Sequence, residues 1–175
     1  MEVIKGETCP VCFEKKLSLV EDEQDIPYFG KVFLMAMNCS SCGYKVSDVE
    51  AEQQKEGCKY EFVVKSSKDL NVRVVKSSEA SVKIPQLRLS VDPGVGSDGY
   101  VSNIEGLFNR FKKILESERD SSDDENIKKK AKNLLKKLWK VECGDEELKI
   151  IIEDPSGNSA IISDKAIVSK FNGNK

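Results

Sequence analysis

The sequence predicts a mainly β protein in two parts: a small cysteine-stapled ribbon, then a strand-rich body that a helical hairpin interrupts late. Three observations predict it. Two C-x-x-C pairs, Cys9-Pro-Val-Cys12 and Cys39-Ser-Ser-Cys42, stand 26 residues apart near the start of the chain. Short runs of alternating or β-branched residues recur through most of the remainder, as strands require. Two longer segments, at about 103–143, carry apolar residues at spacings of three and four, as amphipathic helices do.

The cysteine spacing sets the chemistry of the first part. A C-x-x-C turn brings two sulfurs to one ion, and two such turns supply the four thiolates of a closed tetrahedral Zn²⁺ site. Cys9, Cys12, Cys39 and Cys42 are therefore the candidate ligands of one structural zinc. Gly43 follows the second pair and can take the left-handed angles of a metal knuckle, whereas Phe13 follows the first, so only one knuckle carries that mark. Disulfides are the poorer reading, because the N-terminus is charged and has no apolar h-region, which points to a reducing, cytosolic setting. A thioredoxin-like redox motif fits less well without a βαβ pattern. A catalytic zinc keeps one position open for water, and four cysteines close it.

Between the pairs, residues 17–20 and 32–37 read as strands around an acidic, turn-like stretch at 21–25. That makes residues 1–50 a zinc ribbon, too small to fold alone, so its metal is expected to stabilise that subdomain and no other. Residues 51–57 read as a polar linker at the head of a second domain, 51–175. Strand-like segments follow at 60–64, 72–76, 81–84 and 87–91, with Pro85 marking a bend or an edge. A loop rich in Pro and Gly at 92–99 stops them. The first helical stripe is Ile104, Leu107, Phe108, Phe111, Ile114 and Leu115. The second helix opens with the capping-box spacing Ser122-Asp-Asp-Glu125. Its stripe is Ile127, Ala131, Leu134, Leu135 and Leu138, with Gly144 at its stop. Strands resume at 148–152 and 160–162 around the turn-like Asp154-Pro-Ser-Gly-Asn158.

Composition excludes several classes of function. The chain is 39% hydrophobic, enough for a core, and its net charge of −2 argues against a surface that coats nucleic acid. It has no histidine, which removes the commonest general acid–base and the histidine-plus-carboxylate metal centres of oxygenases. There is no phosphate-cradling glycine loop, and no run approaches the ~20 apolar residues of a membrane span. A non-enzymatic role follows. Cys58 and Cys143 are expected to be buried small hydrophobes.

Several short motifs follow one another over nearly the whole chain: Ile26-Pro27-Tyr28-Phe29, Cys39-Ser-Ser-Cys42-Gly43-Tyr44-Lys45, Asp69-Leu70-Asn71, Val74-Val75-Lys76-Ser77, Ile84-Pro85, Glu105-Gly106-Leu107 and Glu153-Asp-Pro-Ser-Gly-Asn-Ser159. In this order the chain resembles the ZPR zinc-finger family. The resemblance implies a zinc ribbon followed by a double-stranded β-helix (jelly-roll-like) barrel with an inserted helical hairpin. The chain is similar to the single-module archaeal form, where eukaryotic members carry two modules in tandem. It also implies a function: binding the GTPase translation elongation factor one-alpha and assisting its folding. Candidate partner contacts are Tyr28 and Phe29 on the ribbon and Asp154, Ser156 and Asn158 in the late turn, although core packing and turn formation account for the same residue types. The chain departs from the family where Val72 stands in place of an arginine, with Arg73 one place later and so on the opposite face of a strand. Gln86 replaces a glutamate, and Ser102-Asn103 replaces a pair of threonines. The alternative function is RNA or DNA binding by the second helix, since residues 126–140 hold seven lysines and no acid. The acidic segment before it and the near absence of interleaved aromatics favour a solvated helix face; the exception, Trp139, is expected beside Leu138 at the core edge.

Overall fold

The structure is a computed structural model that describes residues 1–27, 29–53, 55–94 and 97–173. It opens with four antiparallel strands, β1 (Glu2–Glu7), β2 (Leu17–Ile26), β3 (Gly30–Cys39) and β4 (Lys45–Ala51), which lie in that order across one sheet. Two of the four were legible in the sequence. The acidic stretch expected to turn instead continues β2, pairing in register with β3 as far as Ile26 opposite Gly30. Alternation explains this: Glu21, Glu23 and Asp25 share one face, while Ile26 on the other face is fully buried.

The body follows as β5 (Cys58–Val64), β6 (Arg73–Lys76), β7 (Ser81–Ile84), β8 (Leu89–Val91) and β9 (Tyr100–Asn103), then α1 (Ile104–Ser121) and α2 (Glu125–Cys143). It ends with β10 (Leu148–Asp154), β11 (Ala160–Ile162) and β12 (Ile167–Lys170). Five strands form one sheet in the order β12-β5-β10-β7-β8, and three form another in the order β11-β6-β9. The two sheets face each other over a common core without closing into a continuous ring. Phe62, Ile84, Ile150 and Ile152 enter this core from the larger sheet, Val74 and Ile161 from the smaller. Pro85 opens a short 3-10 turn, Pro85–Leu87, which bends the chain between β7 and β8. Among the described residues no helix is long and apolar enough to cross a membrane.

The smaller sheet is buried on both sides. Val74 and Val75 are adjacent and both fully buried, so one points into the body core and the other away from it. On that far side Val75 meets Ile26, Val32 and Val49 of the ribbon, with Val101 and Ile162 at the margin. The molecule is thus three layers: ribbon sheet, three-stranded sheet, five-stranded sheet. The ribbon was expected to be energetically separate, yet its far half shares this cluster with the body.

The hairpin covers the open end of the core through Ile104, Leu107, Phe108, Phe111 and Leu115 of α1 and Leu138 and Val141 of α2. Asn103 caps α1, its Oδ1 accepting the Gly106 N–H at 2.8 Å. The cap of α2 is Asp124 rather than Ser122: Asp124 Oδ1 accepts the Asn126 N–H at 2.8 Å, and Ser122 accepts the Asp124 N–H at 3.2 Å. Ile114 and Ile127, read as stripe residues, are 52% and 37% exposed. Cys58 is half-buried, its thiol donating to the Ser159 carbonyl at 3.4 Å, and burial pushes it up to about 11. Cys143 is exposed at the end of α2, against expectation, because the helix ends there.

Asp69, from the Asp-Leu-Asn motif, caps the 3-10 turn Ser67–Asn71 by accepting the N–H groups of Lys65 and Ser66 at 3.0 and 3.1 Å and the Lys165 ammonium at 2.9 Å. Burial opposes its charge, yet Lys165, the Lys65 N–H and the Ser66 hydroxyl hold the carboxyl below its ordinary range. A depressed carboxylate stabilises the fold above its unfolded pKa and loses that contribution as pH falls through the folded one. Asp69→Asn is therefore expected to lower unfolding free energy by about 1–2 kcal/mol at pH 7. In urea titrations the gap from wild type should narrow below about pH 4, and a gap independent of pH would contradict this role.

Candidate metal centre

The two knuckles are built alike. In the first, the Phe13 N–H donates to the Cys9 carbonyl at 3.0 Å and the Cys9 N–H to the Glu14 carbonyl at 3.0 Å. In the second, the Gly43 N–H donates to the Cys39 carbonyl at 3.1 Å and the Cys39 N–H to the Tyr44 carbonyl at 2.8 Å. The residue after each pair is left-handed, at φ 61° for Phe13 and 75° for Gly43. Both knuckles therefore make the turn expected only of the glycine one. Phe13 does so at a cost of roughly 1–2 kcal/mol, because its Cβ crowds the following carbonyl.

These turns bring all four sulfurs within 4.8 Å of one another, with Cys9 to Cys42 and Cys12 to Cys39 each at 3.7 Å. A tetrahedron of sulfurs about 2.3 Å from a central zinc has an edge of about 3.8 Å. The donor set fits one structural zinc, and its all-sulfur composition leaves no protein position for a water ligand. Cys9 and Cys39 are buried with Leu17, and Leu19 and Tyr44 pack around them. The Ser40 N–H donates to the Lys16 carbonyl at 3.1 Å, tying one knuckle to the other. The backbone N–H groups of Cys42 and Ser41 hold the Cys39 thiol down to about 7 against the effect of burial. At Cys12 and Cys42 the Glu14 and Tyr44 N–H groups are outweighed by burial and the neighbouring thiols, which push Cys12 up to about 12 and raise Cys42, so metal uptake has to draw protons from those two sulfurs.

The other candidate residues that the structure describes lie at or beside the meeting of ribbon and body. Tyr28 falls outside the described residues. Phe29 is half-buried against the shared cluster, and Lys55 sits 3.2 Å above its ring while donating to its carbonyl at 3.0 Å. Asp154 is fully buried. Its carboxylate accepts the Ser77 hydroxyl at 2.9 Å, the Ser156 N–H at 2.8 Å and the Ser156 hydroxyl at 2.7 Å. Asn158 is half-buried, its Oδ1 accepting the N–H of Ala51 at the end of β4 at 3.1 Å. Gly157 holds φ 75°, and a Cβ there would stand 2.4 Å from the Glu56 carbonyl, so the turn admits no side chain. Two motifs distant in sequence meet here, the Ser77 N–H also donating to the Ser159 hydroxyl at 2.9 Å.

Sequence reasoning missed the acids that complete this joint. Asp48 of β4 accepts the Ser78 N–H at 2.8 Å and the Ser78 hydroxyl at 2.6 Å. Asp98 accepts the Ser47 N–H at 3.1 Å, and the Ser47 hydroxyl donates to the Gly99 carbonyl at 3.0 Å. Beneath them Lys76 is 4% exposed and donates to the Ser77 and Asp98 carbonyls at 2.9 and 3.3 Å. Burial pushes its amine down, while Asp154 and Asp48 act against that shift. The one available signal was Lys76 itself, a charged residue directly after the apolar pair Val74-Val75 of a short strand.

Comparison with known proteins agrees with this architecture. Residues 2–56 match the ZPR1 zinc-finger domain, and residues 68–171 match the ZPR1 jelly-roll domain. A ZPR1-like protein of Methanocaldococcus jannaschii is 41% identical over 165 residues, covering 94% of this chain and 83% of that protein. A ZPR1-like protein of Pyrococcus horikoshii is 38% identical over 161 residues, covering 90% of this chain and 72% of the other. A zinc finger chaperone of Schizosaccharomyces pombe is 34% identical over 140 residues, 78% of this chain but 30% of the longer protein.

Proposed function

Because the chain belongs to the ZPR1 family, we propose that it is a cytoplasmic, non-enzymatic binding module that holds elongation factor one-alpha, a GTPase, and assists its folding. The observation that carries the reading is the closed four-thiolate centre. A zinc with no open position shapes a surface instead of activating water, so activity has to reside in what the ribbon presents. A relative named as a chaperone supports the same class of role, and the choice of partner rests on the family resemblance. We assign the metal to Cys9, Cys12, Cys39 and Cys42, within a ribbon of residues 1–50 on a body of 51–175. Phe29, Ser156 and Asn158 keep partial exposure at the rim of the joint and are the candidates there for contact with the partner, along with Tyr28. Asp154, being enclosed, acts by holding that rim.

A chaperone of this kind binds an incomplete client and releases it when the native form closes, so no chemical step is required. The full-length chain, immobilised and exposed to extract from its own cells, is expected to retain the elongation-factor GTPase at moderate salt. Retention of RNA alone, eluting steeply with added salt, would overturn this reading in favour of the lysine-rich helix. Of the seven lysines in α2, Lys128 and Lys140 are paired with Glu125 and Glu146 at 2.9 and 2.8 Å, and the other five would be the ones to meet phosphate in that outcome.

A further inference from the structure

The ribbon sheet has a second face that the described chain leaves open except at its β4 edge, where Asp48 reaches Ser78. Ile4, Leu19, Met37 and Val46 lie in register across all four strands on the side opposite Ile26, Val32 and Val49. Met35 stands in the next row, between Glu21 and Asp48. Ile4, Met35 and Met37 are 48%, 38% and 37% exposed. Together these residues line a groove of about 420 Å³ that Glu2 and Glu21 border. Beyond Met35, Phe33 is flanked across the strands by Glu23 and Glu50. Lys31 lies on the same face but is spent on Glu23 at 2.7 Å. Among the described residues Glu2, Glu21 and Glu50 have no salt-bridge partner.

We infer that this groove docks a basic amphipathic helix of a partner protein. The acid border selects a cationic segment and repels the anionic surfaces of nucleic acid and lipid. Four strands about 4.8 Å apart span about 14 Å, the length of roughly ten helical residues, so apolar anchors at i, i+4 and i+7 fit along the row. The two methionines suit a surface that adapts to different anchors. A second copy of this chain does not supply the helix: the basic α2 already turns Ala131, Leu138 and Val141 inward. For its biological source the inference rests on the proposed function, since the helix would belong to the client, but its chemistry stands on the groove.

The probe is a fluorescent peptide of about fourteen residues with leucines at i, i+4, i+7 and i+11 and lysines elsewhere, titrated against the full-length chain by anisotropy. The expected result is saturable one-to-one binding that weakens with salt. Met37→Glu and Glu21→Lys should each weaken it roughly tenfold or more without shifting the melting temperature. Equal binding of a peptide of the same composition in permuted order would overturn the inference. So would indifference to both substitutions, or sedimentation showing two copies paired through this face and separated by Met37→Glu. The elongation-factor GTPase is assayed alongside. If it binds wild type and Met37→Glu equally, the groove is not its dock and the inference fails while the functional reading stands. If the peptide binds through the groove and the GTPase binds nowhere, the inference stands and the functional reading fails.

Discussion

Removing the metal with a strong chelator, or replacing Cys39 with serine, is expected to unfold the ribbon sheet and leave the jelly-roll body folded but weakened. Apparent metal-binding free energies of structural zinc are about 10–16 kcal/mol in zinc-finger peptides, comparable to the whole stability of an ordinary domain. The knuckle end has little else to hold it: its buried cluster is Cys9, Leu17 and Cys39. The body has its own larger core, running from Phe62 to Ile161. The two meet in the joint cluster, where the ribbon supplies Ile26, Val32 and Val49 and the body supplies Val75. Loss of the ribbon therefore uncovers Val75 and the neighbouring Val101 and Ile162. Val75 returned to water costs about 1.5–3 kcal/mol and the half-buried Val101 and Ile162 each cost less, so the body's melting temperature should fall by roughly 10–20 °C. Hydrogen exchange should show protection lost over residues 2–51 and kept in β5, β7 and β10. Uniform loss would mean that ribbon and body form a single cooperative unit. Full protection of the ribbon without metal would remove zinc from the account of its stability.

Asp154→Ala is expected to destabilise the protein by about 3–4 kcal/mol in urea unfolding, because it strips a buried carboxylate from three donors at once. The Ser77 hydroxyl and the Ser156 N–H and hydroxyl lose their acceptor, and the buried Lys76 loses a favourable charge. Asp154→Asn keeps an acceptor but not the charge, so it should cost less. Asn158→Ala removes only the bond from the Ala51 N–H and should cost about 1 kcal/mol. The series separates two roles for the turn. A residue serving the joint loses stability when replaced, whereas a partner contact leaves stability intact and loses binding alone. A loss below about 1 kcal/mol for Asp154→Ala would contradict the interior role.

Much of this arrangement was legible because it depends on local pattern. The C-x-x-C pairs announce the metal, the stripe from Ile104 to Leu115 announces α1, and Asp154-Pro-Ser-Gly-Asn158 announces a turn. What escaped depends on contacts between distant segments. β1 and β4 border the ribbon, and Lys45-Val-Ser-Asp-Val49 alternates too weakly to be read as a strand until β3 pairs with it. The acid run 21–25 resembled a turn by composition, yet alternation puts Glu21, Glu23 and Asp25 on the strand's outer face, and Asp22 on the other face pairs with the N-terminal ammonium at 3.2 Å. Trp139, read at the core edge, is 58% exposed, because Leu138 beside it takes the inward position. Asp48 and Asp98 carry no mark in sequence. They matter only because the ribbon's edge strand lies against the body, and no spacing rule encodes that contact.

The proposed function makes the zinc an organiser of a binding surface, held by four thiolates with no position left open for water. X-ray absorption at the zinc edge on the full-length protein, purified without chelator, tests that claim most directly. The account predicts one zinc per chain with a single shell of four sulfurs at about 2.3 Å. A nitrogen or oxygen ligand near 2.0 Å, or less than half an equivalent of metal, would contradict it.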